Sequence, residues 1–349
     1  MSYFANYLGD EGYGTYRVDW SGERPFFERV SRPAEVLLIP GFVDLHIHGA
    51  FGIDFMSASR SDMLLLCEKL EKVGYERFYP TTVTTSAQGV RAAFANLPEH
   101  EMIGGVHLEG PFISPKFPGA QPVEWISSVP VSKGEWDDVL EDPRLKIITV
   151  APEMPNSLEF ITKLSSRGVI VNMGHSDATF DEARFGFEFG ASRVTHTFNA
   201  MRGFHHREAG IAGYALINDS IECELIYDRL HVSKEAVRLL CKAKPNDKLF
   251  CVSDSTEATG MAQGHKFMMW GHECVTGKNE VRLVSNGALA GSAVTLLDSF
   301  RMLCEDFGEE IAIRLCSINP RKAMGMSVFP KVFVELDRKR EVVGLRRVS

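Results

Sequence analysis

The sequence predicts a parallel α/β fold, most simply a (β/α)8 barrel. Eight short apolar runs with β-branched residues recur along the chain, and segments with helical apolar spacing lie between most of them. A length of 349 residues fits one barrel with small additions. An open, doubly wound sheet is the structural alternative, but its usual glycine-rich nucleotide fingerprint does not follow the first predicted strand.

The predicted strands follow one another between residues 42 and 252. They are Phe42–Leu45, Phe78–Val83, Ile103–His107, Lys146–Ala151, Val169–Asn172, Arg193–His196, Glu222–Tyr227 and Leu249–Val252. Predicted helices include Ser61–Val73, Ser157–Arg167 and Ser233–Ala243, and we expect Ser157 and Ser233 to be N-caps. One side of the first helix is predicted to carry Met63, Leu64, Leu66, Cys67 and Leu70.

The barrel domain is predicted to span residues 36–327. Residues 1–35 and 328–349 fall outside the strand–helix count. They contain β-like pieces, Gly14–Trp20 and Lys331–Leu336, which we expect to pair as a small β side domain.

The composition narrows the classes of partner. A formal net charge of −8 argues against nucleic acid as the main partner, although a local basic pocket can still hold an anionic ligand. We see no secretory signal at the N-terminus, and no stretch is apolar enough to span a bilayer, so we expect no membrane partner. The seven cysteines are scattered without a CxxC pair, which suits a reducing compartment, and we assign the cytoplasm.

Side chains that bind metals recur at the predicted C-terminal ends of the strands, where barrels carry their active sites. Each of them alone has an ordinary structural explanation: a core histidine, half of a buried ion pair or a helix N-cap. Their joint placement at one rim is what predicts a site. The residues are His46, His48, His107, Glu109, His175, His196 and Asp254.

These residue types favour a catalytic metal. Glu109, His175 and His196 would make a three-ligand site with room for water. His46 and His48 are two residues apart on a strand and face the same way, so they could hold a second ion bridged through Glu109. Nitrogen and carboxylate ligands without cysteine favour zinc or iron(II), and we expect one or two divalent ions. Asp254 is the predicted catalytic acid and base, because it can take a proton from water and return it to a leaving nitrogen.

Several segments resemble the N-acetylglucosamine-6-phosphate deacetylase family of the amidohydrolase superfamily. The resemblance runs from about Leu37 to Gly325, and it rests on PGFVDLHIHG, HLEGPF, GHS, THTFNAM, REAGIAG, SDST, LAGSAVTLLDSFR and NPRKAMG. Many superfamily relatives bridge two metals with a carboxylated lysine at the fourth strand. Here that strand ends in Thr149–Glu153 without a lysine, and Glu109 matches the deacetylase arrangement.

The resemblance implies the reaction and the partners. The implied activity is metal-dependent hydrolysis of the acetamide of N-acetylglucosamine-6-phosphate, giving glucosamine-6-phosphate and acetate. The implied partner is this phosphorylated amino sugar, and the implied assembly is a homodimer. The flanking β segments are short beside those of the family, so we expect a reduced side domain.

The resemblance also implies a set of substrate ligands. Asn199, Ala200, Arg207 and His231 match positions that hold the sugar phosphate in the family. Gln121 stands where the family commonly has a histidine that contacts substrate, which makes it a candidate substrate ligand that alters fine specificity.

Two neighbouring features leave alternatives open. Arg229 replaces a family glycine, and it could add positive charge near the ligand or point outward. His205 and His206 beside Arg207 could add to the anion pocket or belong to a surface loop.

Two other functions compete with this prediction. The same scaffold could deacetylate another N-acetyl amino sugar, such as N-acetylgalactosamine-6-phosphate, or an N-acyl compound without a phosphate. From a different class, the chain could be a non-catalytic barrel that binds a sugar phosphate. Rates on substrates with and without the phosphate separate the first group, and acetate release separates the second.

Overall fold

A computed structural model describes residues 2–22, 24–327 and 329–348 of the protein. Strands β1–β20 and helices α1–α10 are numbered in chain order. The predicted domain limits at residues 1, 328 and 349 lie outside the described residues.

Parallel strands form the barrel, as the sequence predicts. Strands β9 to β14 are hydrogen-bonded in sequence order, and β5 pairs with β8. Parallel bridges from Thr81 to His107 and from Ile47 to Ser255 join the two groups and close the ring. The barrel strands are β5 (Phe42–Ile47), β8 (Tyr75–Pro80), β9 (Val106–Glu109), β10 (Leu145–Val150), β11 (Ile170–Met173), β12 (Arg193–Val194), β13 (Glu222–Ile226) and β14 (Leu249–Val252).

The first seven helices lie between successive barrel strands, and the last three follow the final barrel strand. They are α1 (Arg60–Lys72), α2 (Ala87–Asn96), α3 (Asp137–Glu141), α4 (Ser157–Ser165), α5 (Phe180–Glu188), α6 (Gly210–Ile217), α7 (Lys234–Ala243), α8 (Leu296–Phe307), α9 (Glu309–Ile313) and α10 (Asn319–Ala323), with a 3-10 turn at Val123–Trp125 and a π-helical turn at Arg314–Ile318.

Local differences from the predicted elements have identifiable causes. Ser233 caps α7 by accepting a hydrogen bond from the backbone N–H of Ala236, as predicted. The prediction that Ser157 is an N-cap is wrong, because Asn156 occupies that position and Ser157 is the first helical residue. On α1, Leu64 is 40% exposed, so it does not share the buried face of its predicted neighbours.

The third barrel strand begins three residues later than predicted. Gly105 has a φ of +133°, and a Cβ at Gly104 would lie 2.3 Å from the Tyr79 ring, so the chain bends closely past its neighbour before Val106. The strand consequently ends at Glu109 rather than at His107.

A buried apolar cluster lies in the barrel below the C-terminal rim. It joins side chains from strands on opposite sides of the ring. The cluster consists of Val43, Leu45, Tyr79, Ile147, Ile226, Phe250 and Val252.

A six-stranded sheet forms the side domain, in the order β20-β19-β4-β1-β2-β3. The sheet includes more of the chain than the predicted side domain, whose first segment ends at residue 35. Strand β4 follows that limit, yet it pairs with β1 and β19. Ala5, Leu38 and Phe333 pack in its core. Its strands are β1 (Ser2–Gly9), β2 (Gly12–Asp19), β3 (Phe26–Arg29), β4 (Val36–Pro40), β19 (Val332–Leu336) and β20 (Val342–Arg347).

A second, smaller antiparallel sheet lies between β14 and α8, and the sequence analysis did not predict it. It has the order β15-β16-β17-β18. Met269, Cys274 and Ala290 belong to its small apolar core. The strands are β15 (Lys266–Met269), β16 (His272–Thr276), β17 (Glu280–Leu283) and β18 (Leu289–Ser292), and a short hairpin after the first barrel strand adds β6 (Gly49–Ala50) and β7 (Ile53–Asp54).

Two further expectations concern the chain as a whole. In the part of the chain that the structure describes, no helix has both the length and the apolar composition needed to cross a membrane. All seven cysteines lie in that part, and none of them forms a disulfide.

Candidate metal centre

A single buried carboxylate stands at the centre of the rim. Glu109 Oε1 lies 3.2 Å from His175 Nε2 and 3.1 Å from His196 Nε2. The same oxygen is 3.4 Å from His46 Nε2, and Oε2 is 3.3 Å from His48 Nε2. Strands β5 and β9 and the ends of β11 and β12 therefore deliver these five side chains to one point, with Glu109 between the two histidine pairs.

Asp254 joins the cluster from the end of β14. Its Oδ1 lies 3.4 Å from His46 Nε2 and 3.2 Å from His48 Nε2. Within each of two groups the potential ligand atoms lie within 4.8 Å of one another: His46, His48 and Asp254 in one, and Glu109, His175 and His196 in the other. Each group is a set of side chains that could hold a metal ion.

The hydrogen bonds of the imidazoles fit a metal site. Nδ1 of His48 bonds to the Thr81 carbonyl at 3.1 Å, and Nδ1 of His175 bonds to the Phe117 carbonyl at 3.0 Å. Because a carbonyl only accepts hydrogen bonds, both Nδ1 atoms carry a proton, and each Nε2 presents a lone pair to the centre when the imidazole is neutral, as it is in a metal ligand.

The first-strand histidine His46 is oriented in the same way. Its Nδ1 lies 3.3 Å from Glu224 Oε2, a carboxylate that also accepts a hydrogen bond from Asn172 at 2.7 Å. The Nε2 atoms of His175 and His196 are only 3.1 Å apart. Such converging lone pairs are the donor set that a cation satisfies.

Electrostatics keep both carboxylates ionised. Burial favours the neutral form of Asp254, but the charge of His46 and a hydrogen bond from His48 outweigh it and lower the pKa to about 2. Burial likewise opposes the charged form of His48, yet its hydrogen bonds to Asp254 and Glu109 raise its pKa to about 9. In the metal-free protein Asp254 and His48 therefore stabilise each other's charged forms.

Backbone strain accompanies the site. His175, His196 and Asp254 have φ values of 46°, 30° and 49°, in the left-handed region that residues with a Cβ rarely occupy. Such conformations cost on the order of 1–3 kcal/mol each and persist where the surroundings determine them. The backbone of Asp254 is held by two hydrogen bonds. Its N–H donates to the His46 carbonyl at 2.9 Å, and its carbonyl accepts from the Ser292 N–H at 2.8 Å.

A cavity of about 150 Å³ opens on the cluster. It brings together most of the predicted site residues, while His46 is fully buried beneath it. It also exposes Trp270, Leu289 and Gly291, which the sequence analysis did not single out as site residues. The predicted residues in its lining are His48, Glu109, Gln121, His175, His196, Asn199, Ala200, His231 and Asp254.

Gln121 binds the central carboxylate directly. Its Nε2 donates to Glu109 Oε2 at 2.7 Å, and its Oε1 accepts from the Thr84 backbone N–H, also at 2.7 Å. The Gln121 side chain therefore fixes the orientation of the Glu109 carboxylate, and it also lines the cavity.

His231 lines the cavity, and its surroundings favour the protonated imidazole. Burial opposes its charged form, but a hydrogen bond of 2.6 Å to Asp228 and the charge of that carboxylate raise its pKa above the usual value of 6.5. Asp228 also accepts from the backbone N–H groups of Leu230 and His231 at 2.8 Å, so the imidazole is held in one orientation.

The arginines near the site are placed differently. Arg229 points outward and pairs with Glu305 and Asp306 at 2.8 and 2.6 Å, so it adds no charge to the cavity. Arg207 lies on an exposed loop with His205, and its Nη1 is 2.9 Å from His206 Nε2. Among the residues that the structure describes, Arg207 does not belong to the cavity lining.

The positioning residues were missed by the sequence analysis for different reasons. Glu224 is a charged residue inside the apolar strand β13, which is a signal that could have been used. Asp228 stands three residues before His231, within reach of it in a turn. Trp270 gave no signal, because its place depends on a sheet that was not predicted.

Comparison with known proteins agrees with this geometry. The sequence model of the amidohydrolase family matches residues 37–328. N-acetylglucosamine-6-phosphate deacetylase from Bacillus subtilis (strain 168) is 37% identical over 295 residues, which cover 81% of this chain and 74% of that protein.

Solved structures show the same similarity over nearly the whole chain. N-acetylglucosamine-6-phosphate deacetylase from Thermotoga maritima superposes with a TM-score of 0.88 at 29% identity, covering 99% of this chain and 96% of that one. A variant of the enzyme from Mycobacterium smegmatis, solved in complex with N-acetyl-D-glucosamine-6-phosphate, superposes with a TM-score of 0.87 at 25% identity, covering 100% and 98%. The chain therefore belongs to the amidohydrolase family and, within it, to the N-acetylglucosamine-6-phosphate deacetylases.

Proposed function

We propose that the protein hydrolyses the acetamide of N-acetylglucosamine-6-phosphate to glucosamine-6-phosphate and acetate. One observation carries the proposal: Glu109 contacts the Nε2 atoms of four histidines, and an ionised Asp254 faces the same cavity. This combination suits hydrolysis that needs a metal and a proton acceptor. The family membership gives the substrate class.

We propose that the centre holds one or two divalent ions, zinc or iron(II). Glu109, His175 and His196 would hold one ion, and His46 and His48 would help to hold a second one, with Glu109 between them. When bound, such an ion lowers the pKa of water and polarises a carbonyl oxygen.

Asp254 moves the proton in the proposed reaction. Its Oδ1 lies beside His46 and His48 and faces the cavity, where the carboxylate can accept a proton from the attacking water. As the carbon–nitrogen bond breaks, the same carboxyl group returns that proton to the departing amine. The products are acetate and the free amino sugar phosphate.

The phosphate is proposed to bind at the side of the cavity formed by Asn199, Ala200 and His231. A protonated His231 attracts an anion, and backbone N–H groups are good phosphate donors. Arg207 is proposed as a further phosphate ligand, and Arg207→Ala is expected to raise KM chiefly for phosphorylated substrates.

The substitution Asp254→Asn tests the proposed function. The variant is expected to retain its metal and to lose nearly all acetate release, whereas Asp181→Asn, at an exposed residue of α5, is expected to behave like the wild type. Near-normal turnover in Asp254→Asn would refute the proton transfer. A metal-loaded wild type that binds but never cleaves N-acetyl hexosamine phosphates would favour the non-catalytic barrel.

A substrate panel tests the specificity. Acetate release is measured from N-acetylglucosamine-6-phosphate, its galactosamine epimer and the unphosphorylated sugar. We expect the glucosamine phosphate to give the highest kcat/KM. Faster turnover of the epimer or of the unphosphorylated sugar would replace the proposed substrate.

We also propose that the protein is a homodimer and acts in the cytoplasm. The dimer is the assembly implied by the family resemblance, and light scattering of the purified chain tests it. Fractionation of the source cells tests the location.

A further inference from the structure

Trp270 forms one wall of the cavity. It lies in the turn between β15 and β16 and has a φ of 53°. Its indole ring stands edge-to-face against the imidazole of His48, with centroids 4.9 Å apart and planes at 65°. The small second sheet therefore places a large apolar surface beside the metal-binding residues.

The indole is held in place from below. Its Nε1–H donates to Asp54 Oδ2 at 3.0 Å. Asp54 is itself buried at the end of β7, and its Oδ1 accepts the backbone N–H of Met56 at 2.8 Å. Because the ring is fixed at its N–H and packed on His48, it is a rigid wall rather than a mobile surface side chain.

Trp270 stands on the His48 side of the central carboxylate, and Ala200 stands on its His175 side. Ala200 lies next to His175, since a Cβ at Gly119 would be 3.2 Å from the His175 ring and 3.5 Å from the Ala200 methyl. Trp270 packs on His48, and Glu109 stands between His48 and His175.

The orientation of the substrate follows from these two sides. If the sugar phosphate extends toward Ala200, the other substituent of the scissile carbonyl extends toward Trp270. That substituent is the acyl chain. Leu289 also lines the cavity, so apolar side chains are available to meet the acyl chain.

We propose that Trp270 sets the length of the acyl group that the enzyme removes, admitting acetyl and excluding longer chains. This inference rests on the proposed deacetylase function. Because the indole is fixed at the cavity wall by Asp54 and His48, methylene groups beyond the acetyl methyl would have to displace it. One methylene in an apolar pocket typically changes kcat/KM by about 10- to 200-fold.

The test uses three substrates and the metal-loaded protein. The kcat/KM values of wild type and Trp270→Ala are measured on the N-acetyl, N-propionyl and N-butyryl forms of glucosamine-6-phosphate. The wild type is expected to prefer acetyl strongly. In Trp270→Ala the ratio of acetyl to butyryl is expected to fall at least about tenfold, because the removed ring opens space for the longer chain.

Two further variants control for indirect effects. Met268→Ala changes a 64% exposed side chain on β15, the strand just before the turn, and should leave the acyl ratio unchanged. Trp270→Phe keeps an aromatic face against His48 but is smaller and cannot donate to Asp54, so an intermediate ratio is expected. It also provides the measurement if Trp270→Ala does not fold. Metal content and thermal unfolding are recorded for each protein.

Distinct outcomes would overturn the two proposals. Equal losses on all three substrates in folded, metal-loaded Trp270 variants would refute the acyl-length role, and so would loss of metal without a change in the ratio. If the wild type releases no carboxylic acid from any of the three, the proposed function itself fails. An active wild type with an unchanged acyl ratio in the variants refutes only the role of Trp270.

Discussion

Replacing Gln121 by methionine tests whether this residue acts on the metal centre or on the substrate. Methionine fills a similar volume but cannot donate to Glu109 Oε2 or accept from the Thr84 N–H, two hydrogen bonds of 2.7 Å each. The side chain is only 5% exposed, so bulk water does not readily replace either bond.

The magnitude follows from the partners. A hydrogen bond to a charged group contributes about 1.5–3 kcal/mol, and loss of an outer partner of a metal ligand typically weakens metal binding by about 10- to 100-fold. We therefore expect Gln121→Met to bind its metal about 10- to 100-fold more weakly. The unpaired Thr84 N–H should also cost about 1–3 kcal/mol of folding stability.

Competition with a chelator measures the metal dissociation constant, and acetate release at saturating metal measures kcat and KM. Gln88→Met, at an exposed position on α2, is the matched control and should match the wild type in both assays. Wild-type metal affinity in a folded Gln121→Met protein would refute the positioning role. If KM alone rises, Gln121 contacts the substrate instead, as the family resemblance implies.

KM for the phosphorylated substrate is expected to rise as the pH passes through the raised pKa of His231, because only the protonated imidazole attracts the phosphate. Asp228→Asn should shift this rise in KM to lower pH, and superimposable KM profiles of the two proteins would contradict the assignment. Glu76→Ala is expected to lower the free energy of unfolding in urea by about 3–5 kcal/mol, since the Arg321 guanidinium, 3% exposed, loses its partner at 2.5 Å. A decrease of less than about 1 kcal/mol would contradict a stabilising role of this ion pair. Removing the metal with a chelator is expected to lower Tm, and adding zinc or iron(II) should restore it, because the cation binds the folded arrangement of ligands. An unchanged Tm after verified metal removal would argue against the metal centre.

Much of the rim could be predicted because its signal is local. His46 and His48 share a strand with a period of two, and Glu109, His175 and His196 each follow an apolar run. In a parallel barrel the ends of such runs meet at one rim, so position along the chain translates into proximity. The structure places these side chains within hydrogen-bonding distance of Glu109.

Other features depend on contacts between segments far apart in the chain. Glu224 reaches His46 across 178 positions, and Trp270 reaches Asp54 across 216. The direction of the Arg229 side chain does not follow from the sequence, because both of the carboxylates that it pairs with lie on α8, far along the chain. No local pattern encodes such pairings, and strand ends with left-handed φ values are equally invisible in a sequence of ordinary residues.

The amino-acid sequence alone was sufficient for the barrel, the family and the residue types at the rim, since periodicity and short motifs are properties of neighbouring residues. Only the tertiary structure decided that Gln121 holds Glu109, that Asp228 holds His231, and that an unpredicted sheet brings Trp270 against His48. The physical reason is that side-chain orientation and charge depend on the fields and contacts of partners that only folding brings together.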